Sequence, residues 1–303
     1  MGALHIGTDG GGSIRIPCGF TGIPGIKQSF GRVPAWPLSP FGTVSHVGPM
    51  ARTVGDCALM LTVMAEPDYR DPYALPYDGA DYTQGLEEGV RGLRIAYSPS
   101  FGPHRVDPEI AAAVAGAAET FGELGARVEQ PELEVPDTAE AFQVLWFSGA
   151  ANLFRRFSAE QRALVDPGLL AVVAQGERYS ANDIFDATAA RERFTVWMNR
   201  LHEDYDLLLL PGLPLTAFAV GHDVPPGSGL ANWTEWTPYS YPFNLTGQPA
   251  GSLPCGLSGE GLPMAAQIVG PRFADALVLQ AARAFEAVRP AALPPLATEP
   301  VPA

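Results

Sequence analysis

The residues best suited to chemistry lie near the amino end, in the run Gly7-Thr8-Asp9-Gly10-Gly11-Gly12-Ser13-Ile14-Arg15-Ile16-Pro17. Three consecutive glycines let the backbone turn tightly and aim successive N–H groups into one concavity, a nest that binds an anion. The anion this suggests is the oxyanion of a tetrahedral intermediate, held by Gly10, Gly11 and Gly12 together with the N–H of Ser13. A serine placed directly after such a nest can attack a carbonyl whose oxygen lies among those donors. Asp9 and Arg15 flank the turn with opposite charges and can pair across it to hold its shape. Taken alone, the run also suits a flexible turn. It is not a nucleophile elbow, because Arg15 stands where G-x-S-x-G requires glycine. It is neither a P-loop nor a dinucleotide fingerprint.

Longer words surround it. GTDGGGSIRIP, GFTGIPGIKQSFGRVP and GPMARTVGDCALML are followed by DLLLLPGLP, PFNLTGQPAGSLPCG and GLPMAAQIVGPRF. In wording and order they resemble the amidase signature family, from residue 3 to about residue 285. The resemblance implies a Ser–Ser–Lys triad, in which a lysine is the base, a bridging serine relays the proton and a second serine attacks the amide. Ser13 matches the attacking serine, Gly10, Gly11 and Gly12 match the oxyanion hole, and Asp9 and Arg15 match polar positions that support the loop. It further implies hydrolysis of a carboxylic amide to an acid plus ammonia or an amine, through an acyl-enzyme and without metal or organic cofactor.

In that family the bridging serine, in a G-S-S-G-G type segment, and the lysine both precede the stretch matching Gly7 to Pro17. Neither has a counterpart here. Lys27, the only lysine in the chain, follows Ser13 and substitutes poorly by motif. A serine hydroxyl is a weak nucleophile until a base accepts its proton, and losing the base of such a unit costs on the order of 10⁴ to 10⁶ in rate. The expectation is an N-terminally truncated member of the family, with a sheet edge uncovered where the lysine-bearing strand would lie. Two further readings stay open. One is an amidotransferase of the A type that works on misacylated tRNA as one subunit of a complex, from which the word Ser45 to Arg52 departs. The other is a catalytically inert fragment with a binding role.

The elements that must position Ser13 are those of an α/β protein. Ala3 to Ile6 reads as a short buried strand, and residues 19 to 50, dense in Gly and Pro, as irregular chain. A helix is expected over 54–65, with Asp56 in its first turn. Leu93 to Tyr97 reads as a buried strand, Asp107-Pro108 as an N-cap with proline at the first helical position, and Gly125 as the stop before a strand at 126–129. This βαβ unit implies a parallel crossover. Helices are expected near 138–157 and 181–204, a central strand at 206–210, a loop at 221–238, a strand at 263–269 and a last helix at 274–288. Residues 1–303 are expected to form one α/β domain, a large mixed β-sheet covered by helices on both faces: the amidase signature fold, lacking its N-terminal part.

Composition narrows the function classes. Apolar residues make up 47% and charged ones 17%, which suits a large buried core. A net charge of −14 with no basic cluster argues against nucleic acid as a partner. The longest apolar run, Leu207 to Val220, contains Pro211 and Pro214 and is too short for a bilayer. No signal-peptide pattern opens the chain, and a cytoplasmic location is expected. The expected partner is a small amide, with no membrane contact; a homodimer is compatible with the sequence. Cys18, Cys57 and Cys255 lie far apart, in no CxxC pair, and read as small buried hydrophobes in a reducing compartment. The five histidines, His5, His46, His104, His202 and His222, fall in no supporting motif and read as structural or exposed. A late aromatic cluster leaves two readings: Trp233, Trp236, Tyr239 and Asn244 line a substrate pocket, or they pack beneath a loop.

Overall fold

Four consecutive leucines, Leu207 to Leu210, are all fully buried, and the layers of the molecule follow from where they point. The computed structural model of the chain describes residues 2–291; Met1 and residues 292–303 of the expected unit lie outside the described residues. Alternate residues of a strand face opposite ways. Leu207 and Leu209 pack with Leu61, Val114, Phe121 and Phe285 on one face, while Leu208 and Leu210 pack with Phe194, Met198 and Phe243 on the other.

The first half of the chain supplies β1 (Leu4–Asp9), α1 (Arg15–Thr21), β2 (Gly25–Lys27), a 3-10 turn at Gly42–Val44 and β3 (His46–Ala51). It continues with α2 (Val54–Met64), β4 (Arg94–Tyr97), α3 (Pro108–Glu123), β5 (Arg127–Glu129) and α4 (Ala139–Phe154). The second half adds α5 (Ala159–Arg162), α6 (Pro167–Gly176), α7 (Ala181–Asp204) and β6 (Leu207–Pro211). A 3-10 turn at Trp233–Trp236 leads to α8 (Pro242–Thr246), β7 (Ala250–Leu257), β8 (Pro263–Val269) and α9 (Asp275–Val288). The strands form one eight-stranded sheet in the order β1-β3-β2-β7-β8-β6-β4-β5. β6, β4 and β5 run parallel to one another and every other pairing is antiparallel. With α2, α3 and α9 on one face and α7 and α8 on the other, this is the mixed α/β architecture expected. The β4–α3–β5 crossover has its N-cap: the Asp107 side chain accepts from the Glu109 N–H, with Pro108 in the first turn.

Two expectations need correction. The strand expected to be buried at 3–6 is β1, an edge strand, with Leu4 51% and Ile6 63% exposed; apolar composition signals a strand but cannot tell an edge from an interior position. Residues 19 to 50 are not uniformly irregular, since they contain the end of α1, all of β2 and nearly all of β3. A strand with no counterpart among the expected elements, β7, lies in the middle of the sheet and is formed by Ala250-Gly251-Ser252-Leu253-Pro254-Cys255-Gly256-Leu257. Pro254 is accommodated at a register irregularity between Pro254 and Gly256, and Gly251 sits so close under α9 that an added Cβ would lie 3.3 Å from Val278.

The helix α4 is fixed against α6 by a similar close approach: a Cβ on Gly176 would run into the Phe147 main-chain carbonyl. Glycine to alanine in a helix ordinarily stabilises by about 1 kcal/mol, whereas a forced overlap with backbone costs about 1–3 kcal/mol. Gly176→Ala is therefore expected to lower the urea midpoint at an unchanged m-value; a raised midpoint would contradict the packing described.

Candidate active site

Asp9, the last residue of β1, is fully buried, and its carboxylate is the anion held by the glycine turn. Oδ1 accepts from the Gly12 N–H (2.7 Å) and from Asn244 Nδ2 (2.8 Å), and Oδ2 accepts from the Ile14 N–H (3.2 Å). Arg15, the first residue of α1, faces it: Nε donates to Oδ2 and Nη2 to Oδ1, each at 3.0 Å. The remaining guanidinium protons go to Asn244 Oδ1 (2.6 Å), the Ser240 carbonyl (2.7 Å) and Gln267 Oε1 (2.7 Å). A guanidinium has five N–H donors, and all five are engaged. Burial by itself would raise the Asp9 carboxyl. The charge and hydrogen bond of Arg15, with help from Lys27 and Asn244, outweigh it and hold the group well below the usual carboxylate range.

The pairing of Asp9 with Arg15 is thus as expected, but one oxyanion-hole assignment is not. The Gly12 N–H is occupied by Asp9 and is not free for a substrate oxygen. The N–H groups of Gly10, Gly11 and Ser13 take no partner among the described residues. The glycines are also needed for closeness: Gly12 has φ +137°, and a Cβ there would lie 2.5 Å from both Ser240 Oγ and Ile16 Cδ1. A Cβ on Gly11 would meet Phe142 at 2.7 Å.

Ser13 follows this turn directly and its side chain is exposed. It opens, with Thr8, Gly10, Ser45 and His46, onto a cavity of about 480 Å³. Phe30, Val33, Leu38, Phe41, Tyr73 and Trp146 supply the apolar side of the same cavity. Two ties hold the loop between β2 and β3 that carries most of this wall. Asp71 accepts from the N–H groups of Ala35 (2.9 Å) and Tyr73 (2.8 Å). Arg191 of α7 reaches the Thr43 hydroxyl at 2.5 Å and the Leu245 carbonyl at 2.5 Å.

Lys27 is fully buried behind the cavity lining. Its Nζ donates to the carbonyls of Gln28 (3.3 Å) and Gln248 and faces His46 Nε2 at 3.4 Å. His46 Nδ1 lies 3.0 Å from the Val44 carbonyl, which can only accept, so Nδ1 carries the ring proton and Nε2 presents its lone pair to Lys27. Three acceptors match the three protons of an ammonium. Burial, and then the charge of Arg15, pull Lys27 well below the usual lysine range, while Asp9 and Asp275 oppose this. Burial followed by Lys27 likewise lowers His46 well below the ordinary imidazole value, so the ring is neutral. Lys27 is engaged away from Ser13, in keeping with its poor fit as the base. His46, read as structural or exposed, is buried and forms part of the cavity floor.

The expected pocket residues are not brought together there. Asn244 is fully buried and donates to Asp9 and to the Val44 carbonyl (3.0 Å), so it braces the turn. Tyr239 is fully buried in the core on the α7 side of the sheet. Trp236 stacks on Phe20 and lines a separate cavity with His104 and Asp107. Trp233 packs edge-on to Trp146 and lines a neighbouring cavity with Asp166 and Gln175. The cavity residues Phe41 and Trp146 lie outside every quoted word, and Gln28 lies within one, GFTGIPGIKQSFGRVP, without having been singled out. Among the described residues, no group of three or more His, Cys, Asp or Glu is placed to hold a metal ion.

Removing the charge from one member of a buried pair leaves the other uncompensated, at a cost of about 3–5 kcal/mol. Asp9→Asn is expected to lose about that much stability at neutral pH in urea unfolding. Because the Asp9 pKa is lower in the fold than in the unfolded chain, its contribution is complete above the unfolded carboxylate value of about 4 and declines as pH falls below it. The stability gap between Asp9→Asn and the parent chain should therefore narrow on acidification below about pH 4. A gap that stays constant from neutral to acidic pH would refute the ion pair as its cause.

A family model described as Amidase matches residues 1–279. An acylamidase from Rhodococcus erythropolis is 35% identical over 301 residues, which are 96% of this chain and 62% of that protein. The A component of a glutamyl-tRNA(Gln) amidotransferase from Ligilactobacillus salivarius (strain UCC118) is 32% identical over 310 residues, covering 93% and 62% respectively. Among solved structures, a bacterial aryl acylamidase of the amidase signature family superposes with a TM-score of 0.84 at 32% identity, covering 95% of this chain and 62% of that one. The chain spans 62% of the length of each of these relatives. Matched over most of its sequence and superposed on the same sheet and helices, the chain belongs to the amidase signature family.

Proposed function

We propose that the protein hydrolyses a neutral carboxylic amide through an acyl-enzyme at Ser13. The observation that carries this reading is the exposed Ser13 hydroxyl at the rim of a cavity, directly after a turn whose Gly10, Gly11 and Ser13 N–H groups have no partner among the described residues. Ser13 Oγ attacks the amide carbon and its proton leaves to a base. The carbonyl oxygen becomes an oxyanion facing the free N–H groups. The C–N bond then breaks as the nitrogen takes up a proton, so ammonia or an amine departs and an ester remains on Ser13. Water adds to that ester and releases the acid. The proton acceptor is the part that the described residues do not supply, since no described side chain is hydrogen-bonded to the Ser13 hydroxyl. By resemblance to its family the acceptor is a lysine acting through a bridging serine. Three free cysteines, two of them buried, fit a cytoplasmic setting. No helix among the described residues is long and apolar enough to cross a membrane.

The relatives at 32% identity that are A components of glutamyl-tRNA(Gln) amidotransferases support a second reading, in which the same serine releases ammonia for transfer. Ammonia-dependent conversion of a misacylated tRNA in a complex with partner proteins, in place of simple amide hydrolysis, would favour it.

The direct test is a fluorophosphonate, which labels an activated serine. Labelling is expected at Ser13, to vanish in Ser13→Ala, and amide hydrolysis is expected to fall by about 10³ to 10⁶ in that variant. Labelling elsewhere, or hydrolysis that survives Ser13→Ala, would overturn the assignment. Labelling that appears only when a lysine-bearing segment is added in trans would locate the base without displacing Ser13.

A further inference from the structure

Gly10 borders the Ser13 cavity on its α4 side, and its missing side chain leaves room for an indole. Trp146 Nε1 lies 3.2 Å from the position a Cβ on Gly10 would take. That position is within about 3 Å of the Gly10 nitrogen, so the two N–H donors stand at most about 6 Å apart. Donors so spaced can meet on one oxygen, since each N–H···O bond spans about 2.9 Å. Neither the Gly10 N–H nor Trp146 Nε1 has a partner among the described residues, and both residues line the cavity. Unlike the enclosed orphans Gln28 Oε1 and Ser148 Oγ, Nε1 keeps accessible surface. An indole N–H can only donate, and when shielded it ordinarily finds an acceptor. Trp236 has found one in the Asp223 carbonyl at 2.9 Å, and Trp146 has not.

The indole is held by rings on three sides. Phe41 stacks on it with centroids 4.2 Å apart and planes 17° apart. Trp233 and Phe147 meet it edge-on, at 5.3 Å and 6.0 Å. Trp233 also backs the next glycine, since a Cβ on Gly11 would lie 3.1 Å from its Cη2. The helix that carries Trp146 is fixed in turn. Gln143 Nε2 donates to Thr234 Oγ1 at 2.7 Å, and Gly149 lets α4 lie flush on the β2–β3 loop, where a Cβ would meet the Pro40 carbonyl at 2.8 Å. The indole N–H is therefore in place before any ligand enters, and a donor placed in advance needs no rearrangement when charge develops.

We infer that Trp146 is a substrate-binding residue whose indole N–H donates to the carbonyl oxygen of the bound amide, beside the main-chain donors of the glycine turn. The inference rests on the amidase reading for what that oxygen belongs to. The bond strengthens as the oxygen takes up charge, so Trp146 contributes more to the transition state than to the bound amide. Gly10, whose φ lies outside the left-handed region, is needed here for closeness rather than for its turn: a side chain would crowd the indole N–H.

The test is nuclear magnetic resonance of Ser13→Ala, which holds an amide without turnover, with the chain's 5 tryptophans isotopically labelled and isobutyramide as the probe. Trp146→Phe on that background identifies the Trp146 resonance by its loss; it keeps an aromatic ring against Phe41 and removes the N–H. Saturation with isobutyramide is expected to move the Trp146 indole proton downfield and to leave that of Trp236, already bonded, in place. Trp146→Phe is expected to weaken isobutyramide binding about three- to ten-fold. Should that variant fail to fold, Gly10→Ala serves instead: the backbone there accepts alanine and the added methyl covers Nε1, so one indole shift should vanish. Binding of isobutyramide with every indole resonance unmoved, or with full affinity in Trp146→Phe, overturns the inference and leaves the amidase reading standing. Failure of isobutyramide to bind at all overturns the amidase reading, and the inference falls with it.

Discussion

The Asp9–Arg15 pair is the interaction on which the site depends. Two buried ions each lose several kcal/mol of hydration, which only saturated geometry can offset. Here it is saturated. Every guanidinium proton has an acceptor, and the carboxylate takes two backbone N–H groups besides. Ser13 lies between the two members of the pair, so its position is set by the pair. The other partners, Ser240, Asn244 and Gln267, lie more than two hundred residues away along the chain. The turn around Ser13 is therefore a tertiary object. It has its shape only when α8 and β8 are docked against the end of β1.

The sheet order turns this local device into a floor. β1 pairs with β3 so that Asp9 is opposite His46 and Thr8 opposite Val47. β2 lies on the other side of β3 and delivers Lys27 and Gln28. The buried ammonium of Lys27 then ties β2 to His46 and to the entry of β7. The roof is built otherwise, from loop and helix held by a few polar ties: Asp71 to Ala35 and Tyr73, and Arg191 to Thr43. A floor fixed by strand register and buried charge, under a roof made of loop, separates the parts that must not move from those that set the fit. Loops tolerate change in a way that a paired, buried strand cannot.

What was legible in the sequence was what has a local cause. The Asp9–Arg15 pairing follows from two opposite charges bracketing a glycine turn. The β4–α3–β5 unit follows from Asp107, Pro108 and Gly125, and β6 from an unbroken leucine run. What was hidden depends on distance. Trp233, Trp236, Tyr239 and Asn244 are close in sequence but disperse to two separate cavities, the core and the Asp9 turn. Phe41 and Trp146, which stack in the Ser13 cavity, are far apart in sequence and carry no shared pattern. β7 was hidden because its glycines and proline answer to the helix above it and to an irregularity in its own register. The burial of Lys27 had no signal in the sequence: only the backbone carbonyls of Gln28 and Gln248 and a particular tautomer of His46 make it interior.

The carboxylate in the glycine nest also changes how the turn works. A nest that waits empty for an anion is free to relax until one arrives. This one is filled by Asp9, so its curvature exists before any substrate enters. The N–H groups not used by Asp9, those of Gly10, Gly11 and Ser13, are held in place by the same curvature and stay available at the Ser13 side. In the proposed reaction the charge that develops on the amide oxygen meets donors already in position. Such donors gain more from an oxyanion than from a neutral carbonyl, and that difference is what accelerates a reaction. In that proposed reaction Asp9 acts without touching the substrate: its fixed negative charge orders the backbone that would face the transient one.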